Sequence, residues 1–226
     1  MGTVNFETPV GFFGAASQML EDMLEKWRRG TRGPLPQLTP LQLLNALLLI
    51  DQEGPVGRRA LAQALQINDG IARGLLERLA EQGIVAVTET GVRLSEEGKT
   101  RLREVLRQMS VKKILTLENS DLVPGMTAVG IHLTRRYEVG MTGIPQRDEA
   151  VKAGADGSIT IAVKEGKLVV PPDNKDAADL SPRENSRLRR LFKLSDNDLI
   201  IIGFAKDERR AMAGALAAVL SLSPKT

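Results

Sequence analysis

Between residues 58 and 93 the chain carries a set of polar side chains whose spacing suits one ligand surface. Asn68, Asp69, Arg73 and Glu77 fall on one side of a helical stretch whose other side holds Ile71, Leu75 and Leu79. An amide, a guanidinium and carboxylates on the N-terminal half of an exposed helix are the groups that read base edges in the major groove of duplex DNA. Arg73 is the candidate for a guanine contact. Arg58 and Arg59 begin the preceding helix, Arg78 lies one turn beyond Arg73, and Arg93 sits in a hairpin; all four suit phosphate oxygens. Gly70 and Gly74 leave room for close backbone approach, although Gly74 costs about 1 kcal/mol of helix propensity. Residues 54–113 hold 11 Lys+Arg against 7 Asp+Glu, a local charge of +4 in a chain whose net charge is +3. Against this, Asp69, Glu77 and Glu81 would repel phosphates, and arginines are ordinary on any solvated helix. A protein-binding face is therefore the alternative, and RNA a further one.

The rest of the chain offers thinner chemistry. Arg147, Asp148 and Lys152 lie within one and a half turns of a helix after Gly143, where Arg147 could pair with a ligand carboxylate or phosphate. Lys206 lies in the 203–210 segment, which runs from an apolar strand into a helix start; such a turn can hold an anion on backbone N–H groups. That segment lacks the glycine spacing of a phosphate-cradling loop, and Asp207 and Glu208 equally complement a helix dipole. His132, in an alternating strand, faces away from Ile131 and Leu133; with no partner evident from spacing it reads as structural or surface, not as a base. No Ser-His-Asp order and no carboxylate pair stands out, so no catalytic residue is named.

Composition narrows the classes. The 226 residues contain no cysteine and one histidine, which removes disulfides, thiolate chemistry and multi-histidine metal sites; no metal or cofactor is expected. No stretch reaches the roughly 18 apolar residues of a membrane span. The N-terminus lacks the layout of a signal peptide, so a cytoplasmic protein is expected. At 3% aromatic, the chain is poorly suited to stacking on single-stranded nucleic acid.

The elements that must position these residues follow from periodicity. Residues 15–29 place Ala16, Met19, Leu20, Met23, Leu24 and Trp27 at helical spacing, and Gly30 with the 31–36 segment reads as a stop and linker. This helix either packs on its own domain or serves as a dimerisation arm. Thr39-Pro40 caps a helix with seven Leu or Ile over 41–50. Helices follow over 57–65 and from Asn68 or Asp69 to 82, then strands over 84–88 and 92–94 around Glu89-Thr90-Gly91, then a helix over 95–109. Beyond residue 115 the pattern is strand 127–133, helix 146–153, hairpin 158–163 and 168–170, a loop to 181, helix 182–194, strand 199–204 and an Ala-rich helix 207–220. That last helix suits a domain core or a helix–helix dimer seam. The domains expected are 1–36, an amphipathic helix and linker; 37–113; and 114–226.

Helix, helix–turn–helix, hairpin, helix is the order of a winged helix-turn-helix. Gly57-Arg58-Arg59-Ala60-Leu61-Ala62-Gln63-Ala64-Leu65 resembles that family's second helix. Residues 71–79, running into Glu81-Gln82-Gly83-Ile84-Val85, resemble its recognition helix and wing, and Leu94-Ser95-Glu96-Glu97-Gly98-Lys99 is similar to the start of its final helix. Downstream, Gly143-Ile144-Pro145-Gln146-Arg147-Asp148-Glu149-Ala150, Gly154-Ala155-Asp156-Gly157 and Leu168-Val169-Val170-Pro171 resemble an archaeal domain of unknown function that follows a winged helix. The fold implied is α+β: a winged helix, then a small α+β domain with a mixed or antiparallel sheet. The function implied is a homodimeric transcriptional regulator on duplex DNA, its C-terminal domain sensing a small-molecule effector or dimerising. The alternatives are a metabolite- or nucleotide-binding enzyme with an appended winged helix, and an interaction module that binds no DNA.

Overall fold

The computed structural model describes residues 15–28, 38–173 and 175–222. The N-terminal part consists of α1 (Ala15–Arg28), α2 (Pro40–Glu53), α3 (Arg58–Leu65), α4 (Asp69–Glu81), β1 (Val85–Thr88), β2 (Gly91–Leu94) and α5 (Glu96–Gln108). Three helix starts, those of α2, α4 and α5, carry the capping chemistry their sequence announces. Thr39 and Gln42 form a capping box on α2, with the Thr39 N–H donating to Gln42 Oε1 at 3.0 Å and the Gln42 N–H to Thr39 Oγ1 at 3.2 Å. Asn68 caps α4 and Ser95 caps α5. Gln66, left-handed at φ 53°, ends α3 and turns the chain into α4.

The wing is a two-stranded antiparallel hairpin, with Val85 opposite Leu94 and Thr88 opposite Gly91. Val56, just before α3, adds a bridge to Val92 through N–H···O bonds of 2.9 and 3.0 Å. Gly91 is required there. Its φ is 148°, and a Cβ would stand 2.6 Å from the Val56 carbonyl oxygen. Helix α1 lays Ala16, Leu20, Met23 and Leu24 into the core beside α2 and α5, which is the packing on its own domain. Gly30, the 31–36 linker, the Trp27 side chain, and Phe12 and Phe13 lie outside the described residues.

The C-terminal part consists of β3 (Val111–Leu117), β4 (Thr127–Leu133), α6 (Ile144–Lys152), β5 (Gly157–Lys164), β6 (Lys167–Val170), β7 (Lys175–Asp176), α7 (Ala177–Leu180), α8 (Pro182–Leu191), β8 (Leu199–Ala205) and α9 (Glu208–Leu220). Six strands form one sheet in the order β3-β4-β8-β5-β6-β7, every neighbouring pair antiparallel. Of the two sheet types expected, the antiparallel one is present. Strand β8 is central and covered on both faces, which is why Leu199 to Ile202 is a continuous apolar run and does not alternate. Leu199, Ile201 and Ala205 join Val129, Ile131 and Ala162 under α6 and α9, while Ile200 and Ile202 join Ala128, Ile161 and Val163 under Leu188 and Phe192.

Several sequence expectations need correction. Strand β3 has no counterpart among the elements expected from the sequence; it spans residues 113 and 114, and its Val111 pairs with Leu133. Its two lysines and partial exposure, with an irregularity between Val111 and Lys113, mask the alternation. The loop expected up to 181 contains β7 and α7. Helix α8 ends at Leu191, with Phe192 as its cap, so it is shorter than the stretch expected to 194. Helix α9 is a core element. Ala211, Ala215 and Ala218 are fully buried, and Gly203 of β8 lets the helix approach so closely that a Cβ there would overlap the backbone of Ala211 and Ala215.

Candidate nucleic-acid interface

Helices α3 and α4 meet around Leu61, Leu65, Leu75 and Leu79, all buried, so the opposite side of α4 faces solvent. Arg73 and Glu77 are both exposed on that side and bonded to each other, Nε to Oε1 at 2.8 Å. Arg58 donates to Asp69 across the turn at 2.9 Å, and Arg78 to Glu81 at 3.1 Å. Asn68 is the residue that caps α4: its Oδ1 accepts the Ile71 N–H at 2.8 Å, which leaves its amide nitrogen free to donate. Arg59 and Arg93 are exposed and take part in no ion pair among the described residues. Arg93 stands on β2 opposite Ala86, in the hairpin strand that also bridges to Val56.

This set of residues is nearly neutral, with five arginines (58, 59, 73, 78, 93) against Asp69, Glu77, Glu81 and Glu89. The local positive charge lies elsewhere: six of the eleven basic residues sit on α5 and β3. Three of those are tied within α5, as Lys99–Glu96 and Arg101–Glu97 at 2.8 Å and Arg107–Glu104 at 2.6 Å. Hydrogen bonds from Arg107 and Gln108 hold the Glu104 carboxyl down at about 2. Counting charge along the sequence could not reveal this division. Exposed pairs of this kind are worth about 0–1 kcal/mol, so the Arg73–Glu77 contact can be exchanged for a base or phosphate at little cost.

The four ligand candidates of the C-terminal part do not converge. Arg147 and Asp148 are exposed and 3.4 Å apart, Lys152 pairs with Glu149 at 2.6 Å, and Lys206 is exposed in the turn before α9. None of them borders a described cavity; the inward residues of α6 are Gln146 and Ala150. The start of α9 is already capped, since Asp207 Oδ1 accepts the Arg210 N–H at 3.0 Å. A cleft of about 880 Å³ separates α2 and α3 from the first turn of α9, with Asn45, Leu49, Gln52, Gln63, Arg209 and Met212 among its walls.

His132 does have a partner. It is 1% exposed, and its Nε2 lies 2.8 Å from Asp198 Oδ2, a contact spanning 66 residues of sequence that no spacing rule exposes. Its ring meets Phe192 edge-on, with centroids 5.9 Å apart. No group of three or more His, Asp or Glu suited to a metal occurs among the described residues, and no helix among them is long and apolar enough to cross a membrane.

Comparison with known proteins matches two separate stretches of the chain. Residues 43–110 match the CggR N-terminal DNA binding domain. Residues 124–222 match a domain of unknown function, DUF4443. A hypothetical protein from Pyrococcus horikoshii OT3 shares the fold, with a TM-score of 0.63 and 23% identity over 79% of this chain and 91% of that one. Curated proteins give no match.

Proposed function

We propose that this chain is a DNA-binding transcriptional regulator in which α4 enters the major groove of duplex DNA and the wing follows the backbone. The observation that carries the reading is the pairing of an exposed Arg73 on the outer side of α4 with a region, 43–110, similar to a known DNA-binding domain. Arg73 reads a base edge, helped by the Asn68 amide; Arg58, Arg59, Arg78 and Arg93 hold phosphates, with Asp69 and Glu77 setting the guanidinium positions in the free protein. The protein acts as a cytoplasmic homodimer on half-sites about one helical turn apart, and its C-terminal domain senses a small effector or supplies the dimer contact. It is a binding protein, not an enzyme.

Packing supports a link between the two parts. Helix α9 of the sheet domain rests against α2, and one apolar cluster runs from Leu43 and Leu47 to Ala215 and Val219. A change at α9 is therefore felt at the helix that carries α3 and α4. Any effector coupled this way must bind DNA-bound protein less well by the same factor by which it weakens DNA binding.

The near-neutral reading face favours a second reading, a protein-interaction module. Selection of bound fragments from a random duplex library, with affinity followed between about 50 and 200 mM salt, separates the two. An enriched, partly palindromic sequence with a steep loss of affinity supports the regulator. Weak, sequence-indifferent binding supports the interaction module.

A further inference from the structure

Helix α6 turns a polar and a small residue inward and branched apolar residues outward. Its buried residues are Gln146 and Ala150, while Ile144 and Val151 stand outside, 53% and 48% exposed. A helix that packs only on its own domain places such residues the other way round. Val139, 97% exposed, borders the same depression as Pro145, which brings it beside the first turn of α6. Val139, Ile144 and Val151 are three of the four large apolar side chains exposed among the described residues; the fourth, Val87, is in the wing. Such clustering marks a surface that another molecule covers. We propose that the outer face of α6 is the contact between two copies of this chain, with the two helices antiparallel across a two-fold axis.

The order of the side chains names the occupant. Ile144, Arg147, Asp148 and Val151 are all exposed and fall at i, i+3, i+4 and i+7, one stripe about 10 Å long. Around an axis passing between residues 147 and 148, an antiparallel second copy sets Ile144 against Val151 and Arg147 against Asp148, each pair formed twice. The stripe reads apolar, basic, acidic, apolar, so it is its own complement in that orientation. Parallel helices would set arginine against arginine and aspartate against aspartate, which repel. Within one copy Arg147 and Asp148 are 3.4 Å apart and largely exposed, and a second copy closes them into a ring of four alternating charges. Gln146 and Ala150 stay in the core of their own domain, so docking asks for no change of fold.

The contact is small. One face of a nine-residue helix, with Val139 at its edge, falls below the standard interface of about 1,600 Å² in total, so the dimer should dissociate on dilution.

This inference rests on the homodimer of the proposed function and is independent of whether α4 reads DNA. The test is sedimentation velocity of the full chain without DNA, between about 1 and 200 μM. A concentration-dependent dimer is expected. Arg147→Asp sets two carboxylates against each other twice per dimer and should raise the dissociation constant about tenfold or more. Adding Asp148→Arg to that variant should return the constant toward the parent value, a recovery that neither a folding defect nor a different interface would give. Val151→Asp should also weaken the dimer while leaving the Tm of the monomer unchanged, because the side chain is exposed. A monomer at every concentration overturns both this surface and the homodimer. A dimer that keeps its affinity in Arg147→Asp and Val151→Asp overturns the surface and leaves the homodimer standing. A double variant that stays as weak as Arg147→Asp overturns the antiparallel pairing.

Discussion

Gly98 lies directly on the carbonyl of Ile84, so closely that a Cβ at residue 98 would overlap the oxygen. The same carbonyl accepts the Ser95 N–H at 3.0 Å, and Ser95 Oγ in turn accepts the Gly98 N–H at 3.0 Å. The start of α5 is thereby locked to the root of the wing, which explains why a serine and a glycine three residues apart stand between hairpin and helix.

Gly98→Ala should therefore reverse the usual helix rule. In a free helix interior the change gains about 1 kcal/mol; here α5 must shift away from Ile84, and overpacking of this kind costs about 1–3 kcal/mol. Urea unfolding would measure it. A variant as stable as the parent would show that the contact gives way easily and that the α5–wing junction is not what holds the hairpin.

Arg73→Ala should weaken binding to the preferred duplex by about 1–3 kcal/mol and relax the preference at one base pair, because a lost bidentate contact removes discrimination as well as affinity. Glu77→Gln should not weaken binding. It forfeits an exposed i,i+4 pair that contributes little to the free protein and releases the guanidinium for the ligand. Fluorescence anisotropy on the selected sequence decides both. Unchanged affinity in Arg73→Ala would remove α4 as the reading element.

Arg93→Ala should act differently. A wing arginine on the phosphates carries no sequence information, so its loss should lower affinity about equally on every duplex and flatten the slope of log affinity against log salt by about 1. A loss confined to the selected sequence would place Arg93 on a base edge.

The helices and hairpin of the N-terminal part are legible in the sequence because their signals are local. Thr39-Pro40, Asn68 and Ser95 announce helix starts, Gly91 a tight turn, and the Leu and Ile spacing an inward face, and each of these acts within a few residues of itself. The sheet domain was harder to read. Strand β3 is an edge strand with Lys112 and Lys113 in it, and its identity depends on pairing with residues around 130. The candidate sites fared likewise. Exposure of Arg73 follows from helical period, but its tie to Glu77 and the pairing of Arg58 with Asp69 are choices among competing partners that the sequence alone does not decide. In α6 the charged Arg147 and Asp148 face water while the neutral Gln146 faces inward.

The His132–Asp198 pair gives a prediction with a definite sign. Burial raises the Asp198 pKa, but N–H donors from Arg135 and Ser195 and the bond and charge of His132 outweigh it, so the carboxyl titrates below its ordinary 3.8. A folded-state pKa below the unfolded one means stability that is fully present above 3.8 and is lost as pH falls through the lower folded value. Asp198→Asn removes that titration. It also leaves one of the two backbone N–H donors, or the His132 ring, without a good acceptor, at about 1–3 kcal/mol. The variant should be clearly less stable near pH 7, and the gap should narrow once the pH falls below 3.8, where the unfolded parent takes up the proton before the folded one does. Guanidinium unfolding of both proteins at about pH 7 and about pH 3 measures the two gaps. A gap that stays constant across that range would mean that the buried carboxyl holds β4 and β8 by shape and hydrogen-bond count alone, with its charge contributing nothing.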